Sequence, residues 1–133
     1  MMNEPISSIM TTDLITLGPD DTLDRVRALF LSKRIHHLPV VEGKKLLGLL
    51  TTYDLFKLER PDTKLDNIKV RDAMTTRLAK LEPEQKIGVA AEVFLENLFH
   101  AVPIVKDDEL VGIVTTFDVL KYNFKKEYPN QEI

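Results

Sequence analysis

Apolar positions along the chain change their spacing in a set order, and the order occurs twice. Leu14–Leu17 (LITL) is a short apolar run of the kind that forms a strand, and Pro19-Asp20-Asp21 then supplies turn and helix-start chemistry. Leu23, Val26, Leu29 and Phe30 recur at helical spacing, with Asp21 or Thr22 as the N-cap. Two further apolar runs, LPVV (Leu38–Val41) and LLGLLT (Leu46–Thr51), flank the polar loop Glu42-Gly43-Lys44-Lys45 and predict a hairpin. Thr51 or Thr52 caps a closing helix through Leu58, which Pro61 follows. The second pass contains LAKL (Leu78–Leu81), a helix through Leu98, VPIV (Val102–Val105), LVGIVT (Leu110–Thr115) and a terminal helix to about Lys126.

A shift of 64 residues without a gap superimposes the two passes. It carries Met10-Thr11-Thr12 onto Met74-Thr75-Thr76, Pro19 onto Pro83, Phe30-Leu31 onto Phe94-Leu95 and His36 onto His100. It also carries Pro39 onto Pro103, Gly48 onto Gly112, and Thr51-Thr52-x-Asp54 onto Thr115-Thr116-x-Asp118. Residues 1–60 thus form a first repeat, 61–71 a polar linker and 72–133 a second repeat. The expected fold is α/β (α+β), two βαββα units related by a pseudo-twofold axis. One such unit is too small to bury both faces of its sheet, so two packed sheet to sheet form the sensible minimum.

Composition removes several alternatives. The 133 residues contain 44% hydrophobic side chains and no cysteine, which suits one packed globular module and excludes disulfides and thiolate zinc sites. Apolar runs such as Leu46–Leu50 fall far short of the ~20 residues of a membrane span, and the N-terminal MMNEPISSIM lacks the form of a targeting signal. A cytoplasmic address without membrane insertion is the expectation. A net charge of −3 argues against nucleic acid as a partner, because the chain as a whole does not attract phosphate backbones.

The twice-written phrase, GLLTTYD at Gly48–Asp54 and GIVTTFD at Gly112–Asp118, supports two readings. A glycine within branched apolar residues marks a close backbone approach. A threonine at a strand end with an aspartate three residues on can be a helix cap. The same atoms can serve a ligand: hydroxyl and amide groups at a helix start hold phosphate, and a carboxylate accepts the hydrogen bonds of a ribose diol. His36-His37 is not a metal site, since adjacent residues entering a strand face opposite ways and no carboxylate cluster is near in sequence. No P-loop, Gly-x-Ser-x-Gly turn or paired-acid motif is present beyond the repeat aspartates, so no catalytic function and no catalytic cofactor are expected. Lys106-Asp107-Asp108-Glu109 and Lys125-Lys126-Glu127 read as a solvated turn and tail.

RIHHLPVVEGKKLLGLLTTYDL and FHAVPIVKDDELVGIVTTFDVL, each preceded at the same distance by MTT and a strand, resemble two cystathionine-β-synthase (CBS) domains in tandem, a Bateman module. The resemblance covers about Ile6 to Tyr122. It implies regulation of an effector enzyme or transporter through an adenosine-containing ligand, AMP, ADP, ATP or S-adenosylmethionine, bound in clefts between the two halves. In the favoured cleft it implies roles for Thr16, the backbone around His100, Ala101, Val102 and Pro103, Thr115 near phosphate or ribose, and Asp118 on the ribose hydroxyls. The second cleft would combine Lys80 with His36, His37, Leu38, Pro39, Thr51 and Asp54. There a lysine stands where the family has threonine, and Lys80 with His37 could help neutralise phosphates. His37 occupies a position that is arginine in some relatives, and its counterpart is Ala101. The favoured cleft is therefore expected to suit a monophosphate or an uncharged-tail adenosine ligand.

The copies also differ on their first helix, where Arg25, Arg27 and Arg34 become Val89, Ala91 and Leu98. A helix that apolar wants cover. Relatives of this kind associate as disc-shaped dimers, and Val89, Val93 and Leu98 are the candidate homodimer contact; cover by the linker and N-terminal segment is the alternative. Ligand binding would signal by changing the angle between the repeats, with the output in another polypeptide. A ligand-independent structural or dimerisation module is the competing function.

Overall fold

The computed structural model describes residues 2–132 as a mixed α/β fold of two compact units. The first unit is Ile15–Leu78; the second combines the chain up to Leu14 with the chain from Ala79 onward. Each copy's opening Met-Thr segment therefore belongs to the unit that holds the other copy's hairpin.

In the first unit, helix α1 (Leu23–Lys33) precedes strands β1 (His37–Glu42) and β2 (Lys45–Thr51) and helix α2 (Thr52–Leu58). In the second, α3 (Ile87–Asn97), β3 (Ala101–Lys106), β4 (Glu109–Thr115) and α4 (Thr116–Glu127) follow in the same order. Both hairpins are antiparallel and share one register, His37↔Thr51 to Glu42↔Lys45 and Ala101↔Thr115 to Lys106↔Glu109. Each has an irregularity at the matching place, Val40/Val41 and Ile104/Val105. Thr22 takes the N-cap position of α1 without a side-chain cap bond. Asp21 instead accepts from the Gly18 amide at 2.7 Å and pairs with Arg25 at 2.8 Å.

The run Leu14–Leu17 does not extend into a strand: it contributes one bridge, Leu17 parallel to Val40, and Leu78–Leu81 likewise contributes Leu81 to Ile104. Leu17 N–H donates to Pro39 O at 2.9 Å and Val41 N–H to Leu17 O at 2.8 Å, after which Gly18 and Pro19 begin the turn into α1. Side-chain burial at the one bridged residue, Leu17 at 1% exposure, does the anchoring.

Leu23, Val26, Phe30, Leu38, Val40 and Leu50 centre the first core. Val70 joins it at 0% exposure, with Leu65 and Ile68 packed alongside, so much of the polar segment between the repeats is tied down. Leu23 N–H donates to Ile68 O at 3.0 Å and Val70 N–H to Asp21 O at 2.8 Å. In the second unit Ile6 takes the place of Val70, buried with Ala90, Phe94, Val102, Ile104 and Val114. The N-terminal segment covers part of α3, with Ile87 N–H donating to Glu4 O and Gly88 N–H to Met2 O, both at 2.9 Å. Val93 is half-buried against this core rather than exposed, while Leu95 and Leu98 remain 81% and 83% exposed.

The repeated glycines make room for the opening segments. Thr75 and Leu49 exchange both backbone hydrogen bonds at 2.9 Å, and Thr11 and Ile113 do the same at 2.9 and 3.0 Å. A Cβ on Gly48 would lie 2.8 Å from Thr75 O and from Met74 Sδ, and one on Gly112 would lie 2.7 Å from Met10 Sδ. The close approach expected of these glycines is met by backbone and methionine of the same unit.

Candidate functional site

The strand-to-helix junctions β2–α2 and β4–α4 carry the repeated Thr-x-x-Asp, and each folds into a reciprocal capping box. In the first, Thr51 N–H donates to Asp54 Oδ2 at 2.9 Å, and the Asp54 amide donates to Thr51 Oγ1 at 3.2 Å. In the second, Thr115 N–H donates to Asp118 Oδ2 at 2.8 Å, and the Asp118 amide donates to Thr115 Oγ1 at 3.2 Å. Both hydroxyls also donate to Oδ2 of their aspartate, at 3.0 and 3.1 Å. Two orphan amides at each helix start are thereby satisfied, and the aspartates sit at the positive end of the helix dipole. The capping reading of the motif holds, and one carboxylate oxygen of each aspartate is left over.

That remaining oxygen distinguishes the copies. Asp54 is 5% exposed, and its Oδ1 accepts from Thr75 Oγ1 at 3.4 Å with Lys57 Nζ 3.7 Å away. Asp118 is half-buried, and no described residue bonds its Oδ1. It borders an open groove of about 510 Å³ whose other walls are Ser8, Ile9 and Thr11 of the N-terminal segment and Lys121, Tyr122, Lys125 and Lys126 of α4. Glu4 anchors that segment to the helix, accepting from Tyr122 Oη and from Lys126 Nζ, the latter at 2.7 Å. Lys126 and then Tyr122 hold the Glu4 carboxyl down at about 2, and the same contacts push Tyr122 and Lys126 up. Lys121 and Lys125 have no carboxylate partner among the described residues.

The second unit brings His100, Ala101, Val102, Pro103, Thr115 and Asp118 together at one end of its hairpin; Thr16 belongs to the first unit. Thr116 N–H donates to His100 O at 3.0 Å, which ties the start of β3 to the start of α4. Val102 is fully buried, Ala101 and Pro103 are buried, and the His100 side chain is exposed. The first unit groups His36, His37, Leu38, Pro39, Thr51 and Asp54 in the same way, with Thr52 N–H donating to His36 O at 3.1 Å; Lys80, exposed, belongs to the second unit. His36 is exposed and His37 half-buried, and no group of three or more His, Asp or Glu placed to hold a metal occurs among the described residues. The reading of residues missed Thr11, Lys121 and Lys125 as neighbours of Asp118. The available signal was helical spacing, since 118, 121, 122 and 125 fall on one face of α4.

Comparison with known proteins agrees with the repeat. The family model of the CBS domain matches residues 6–60 and again 70–125. The chain is 29% identical over 123 residues to an inosine-5'-monophosphate dehydrogenase of Korarchaeum cryptofilum, covering 92% of this chain and 24% of that one. It superimposes on CBSX2 in complex with AMP with a TM-score of 0.84 and 27% identity, covering 93% of this chain and 98% of the other. On the CBS domain of a CBS domain containing membrane protein from Sphaerobacter thermophilus the TM-score is 0.77 with 27% identity, covering 90% and 88%. The chain spans 43%, 24% and 48% of the length of three of the curated relatives it matches. No helix among the described residues is long and apolar enough to cross a membrane.

Proposed function

The chain belongs to the CBS domain family, and from that premise we propose that it is a regulatory module which binds an adenosine-containing ligand and passes the signal to an effector protein. The observation that carries this reading is Asp118, a carboxylate oriented by its capping box with its second oxygen unused by the described residues and bordering a groove. A pre-oriented acceptor of this kind suits a ribose diol, which offers two hydroxyl donors to one carboxylate. The AMP complex of CBSX2, alike over nearly its whole length, supports an adenine nucleotide as the ligand. Asp54, with both oxygens engaged, is the weaker site of the two.

The module acts by binding, without catalytic turnover or a catalytic cofactor, in the cytoplasm. Its matching to under half of longer relatives, one of them named as an enzyme, suits a regulatory portion whose output lies elsewhere. Leu95 on α3 and Leu98 at its C-cap are exposed apolar side chains, and a second copy of the chain is their proposed cover.

A thermal-shift screen against AMP, ADP, ATP, GTP, NAD and S-adenosylmethionine tests the reading, because a ligand of the native state raises the melting point by mass action. An adenosine-selective rise lost in Asp118→Ala and kept in Asp54→Ala supports it. The absence of any shift in folded, ligand-free protein favours a ligand-independent dimerisation module.

A further inference from the structure

We infer that two copies of the chain pair second unit to second unit, through an isologous contact of α4 with α4 centred on Leu120, and not second unit to first. This rests on the self-association proposed above and adds which surface meets which.

Phe117, Leu120 and Phe124 recur at i, i+3 and i+7 on α4, turned away from the buried Val119, and Tyr128 extends the row by one turn with its ring centroid 5.0 Å from that of Phe124. All four are exposed, by 39% to 65%, over about 16 Å of helix axis. Helical spacing sets Lys121 and Lys125 along one side of the row and Asn123 and Glu127 along the other. Leu95 and, at the C-cap of α3, Leu98 add exposed apolar surface on the helix that packs beside α4. An apolar centre with a polar rim has the make-up of a protein contact.

The 64-residue shift shows which surface fits it. Tyr53 and Phe56 stand for Phe117 and Leu120 and are exposed too, but Arg60 stands for Phe124 and Arg34 for Leu98, both exposed. Helix α2 ends at Leu58, so the apolar row breaks after two positions. A second unit seated on a first unit in the equivalent way would desolvate two guanidinium groups against a row that offers them no carboxylate. Two second units meet with no charge in the middle.

The row is also self-complementary. Phe117 lies three residues before Leu120 and Phe124 four after it, about 4.5 and 6 Å along the axis. A twofold axis at Leu120 between antiparallel helices therefore sets Phe117 of each copy beside Phe124 of the other, and each contact occurs twice. The centre of the contact is thus on α4, and the half-buried Val93 lies outside it.

The chain has no cysteine, so single introduced cysteines report the pairing without background. Sedimentation of the full chain is expected to give a dimer that Leu120→Lys weakens about a hundredfold and the counterpart Phe56→Lys less than about tenfold. Circular dichroism checks that both variants stay folded, as exposed positions allow. When Leu120→Cys is mixed with a longer-tagged Phe56→Cys chain under mild oxidation, disulfides are expected to join Leu120→Cys chains to one another and not to the Phe56→Cys chain. Disulfides that join the two variants, or equal weakening by Leu120→Lys and Phe56→Lys, overturn the choice of surface while self-association stands. A wild type that stays monomeric at about 0.1 mM overturns self-association as well and leaves the row for a different protein.

Discussion

Thr75 donates its hydroxyl to Asp54 Oδ1 across 3.4 Å, while Thr11, its counterpart in the repeat, shares a groove with Asp118 without bonding it. The two copies of the phrase, which share glycine, both threonines and aspartate, thus differ in how the aspartate is engaged. Where the threonine bonds, the carboxylate is closed into the fold; where it does not, one carboxylate oxygen has no partner among the described residues.

The two aspartates therefore respond differently to truncation. Asp54→Ala removes the N3 half of the capping box and leaves the Thr51 amide and the Thr75 hydroxyl without their buried acceptor, and is expected to cost about 2 kcal/mol. Asp118→Ala removes only the N3 half of its capping box, with Thr115 left as N-cap, and costs about 1 kcal/mol. Urea denaturation of each variant, with the slope unchanged, measures the difference.

Gly48→Ala is expected to destabilise by about 2 kcal/mol, because the added methyl meets the Thr75 carbonyl of a paired backbone as well as Met74. Gly112→Ala costs less, since its tightest neighbour is the side chain of Met10 and the Thr11 carbonyl is 3.1 Å away. Chemical denaturation that ranks them in the opposite order contradicts the assignment of these glycines to backbone approach.

Val70→Ala is expected to cost about 2 kcal/mol despite its place in a polar connecting segment, since the side chain is wholly buried in the first core. A loss under 0.5 kcal/mol, about the size of a surface substitution, would show that the segment is loosely held.

The Glu4 contact gives an acid limb to stability. Its carboxyl is held at about 2 in the fold against an ordinary value of 4.5, so the unfolded chain takes up a proton first as pH falls. The stabilisation is present in full above pH 4.5 and is lost between there and about pH 2. Thermal melts across this range should show a shallower decline for Glu4→Gln than for the wild type.

Much of this was legible in the chain itself. The period change from LITL to Leu23-Val26-Phe30 and on to LPVV located the helices and hairpins, and Thr-x-x-Asp located the caps, because these depend on neighbours close in sequence. The exchange of opening segments was not legible: an ungapped repeat aligns Met10-Thr11 with Met74-Thr75 but is silent on which hairpin each crosses. Val70 and Ile6 looked like isolated apolar residues in polar surroundings, and their burial comes from residues distant in sequence, on the first helix and the hairpin of their units. Lys125 read as part of a solvated tail because the wall that makes its surroundings a groove, Ser8 to Thr11, comes from the other end of the chain.

The central claim is that Asp118 receives the ligand. Calorimetric titration of ATP into the wild type, Asp118→Ala and Asp54→Ala, each verified as folded by circular dichroism, tests it most directly. Wild-type binding that weakens more than tenfold in Asp118→Ala and changes less than threefold in Asp54→Ala is the predicted result, the larger loss corresponding to about 1.4 kcal/mol or more. ATP binding that survives Asp118→Ala unchanged would contradict it.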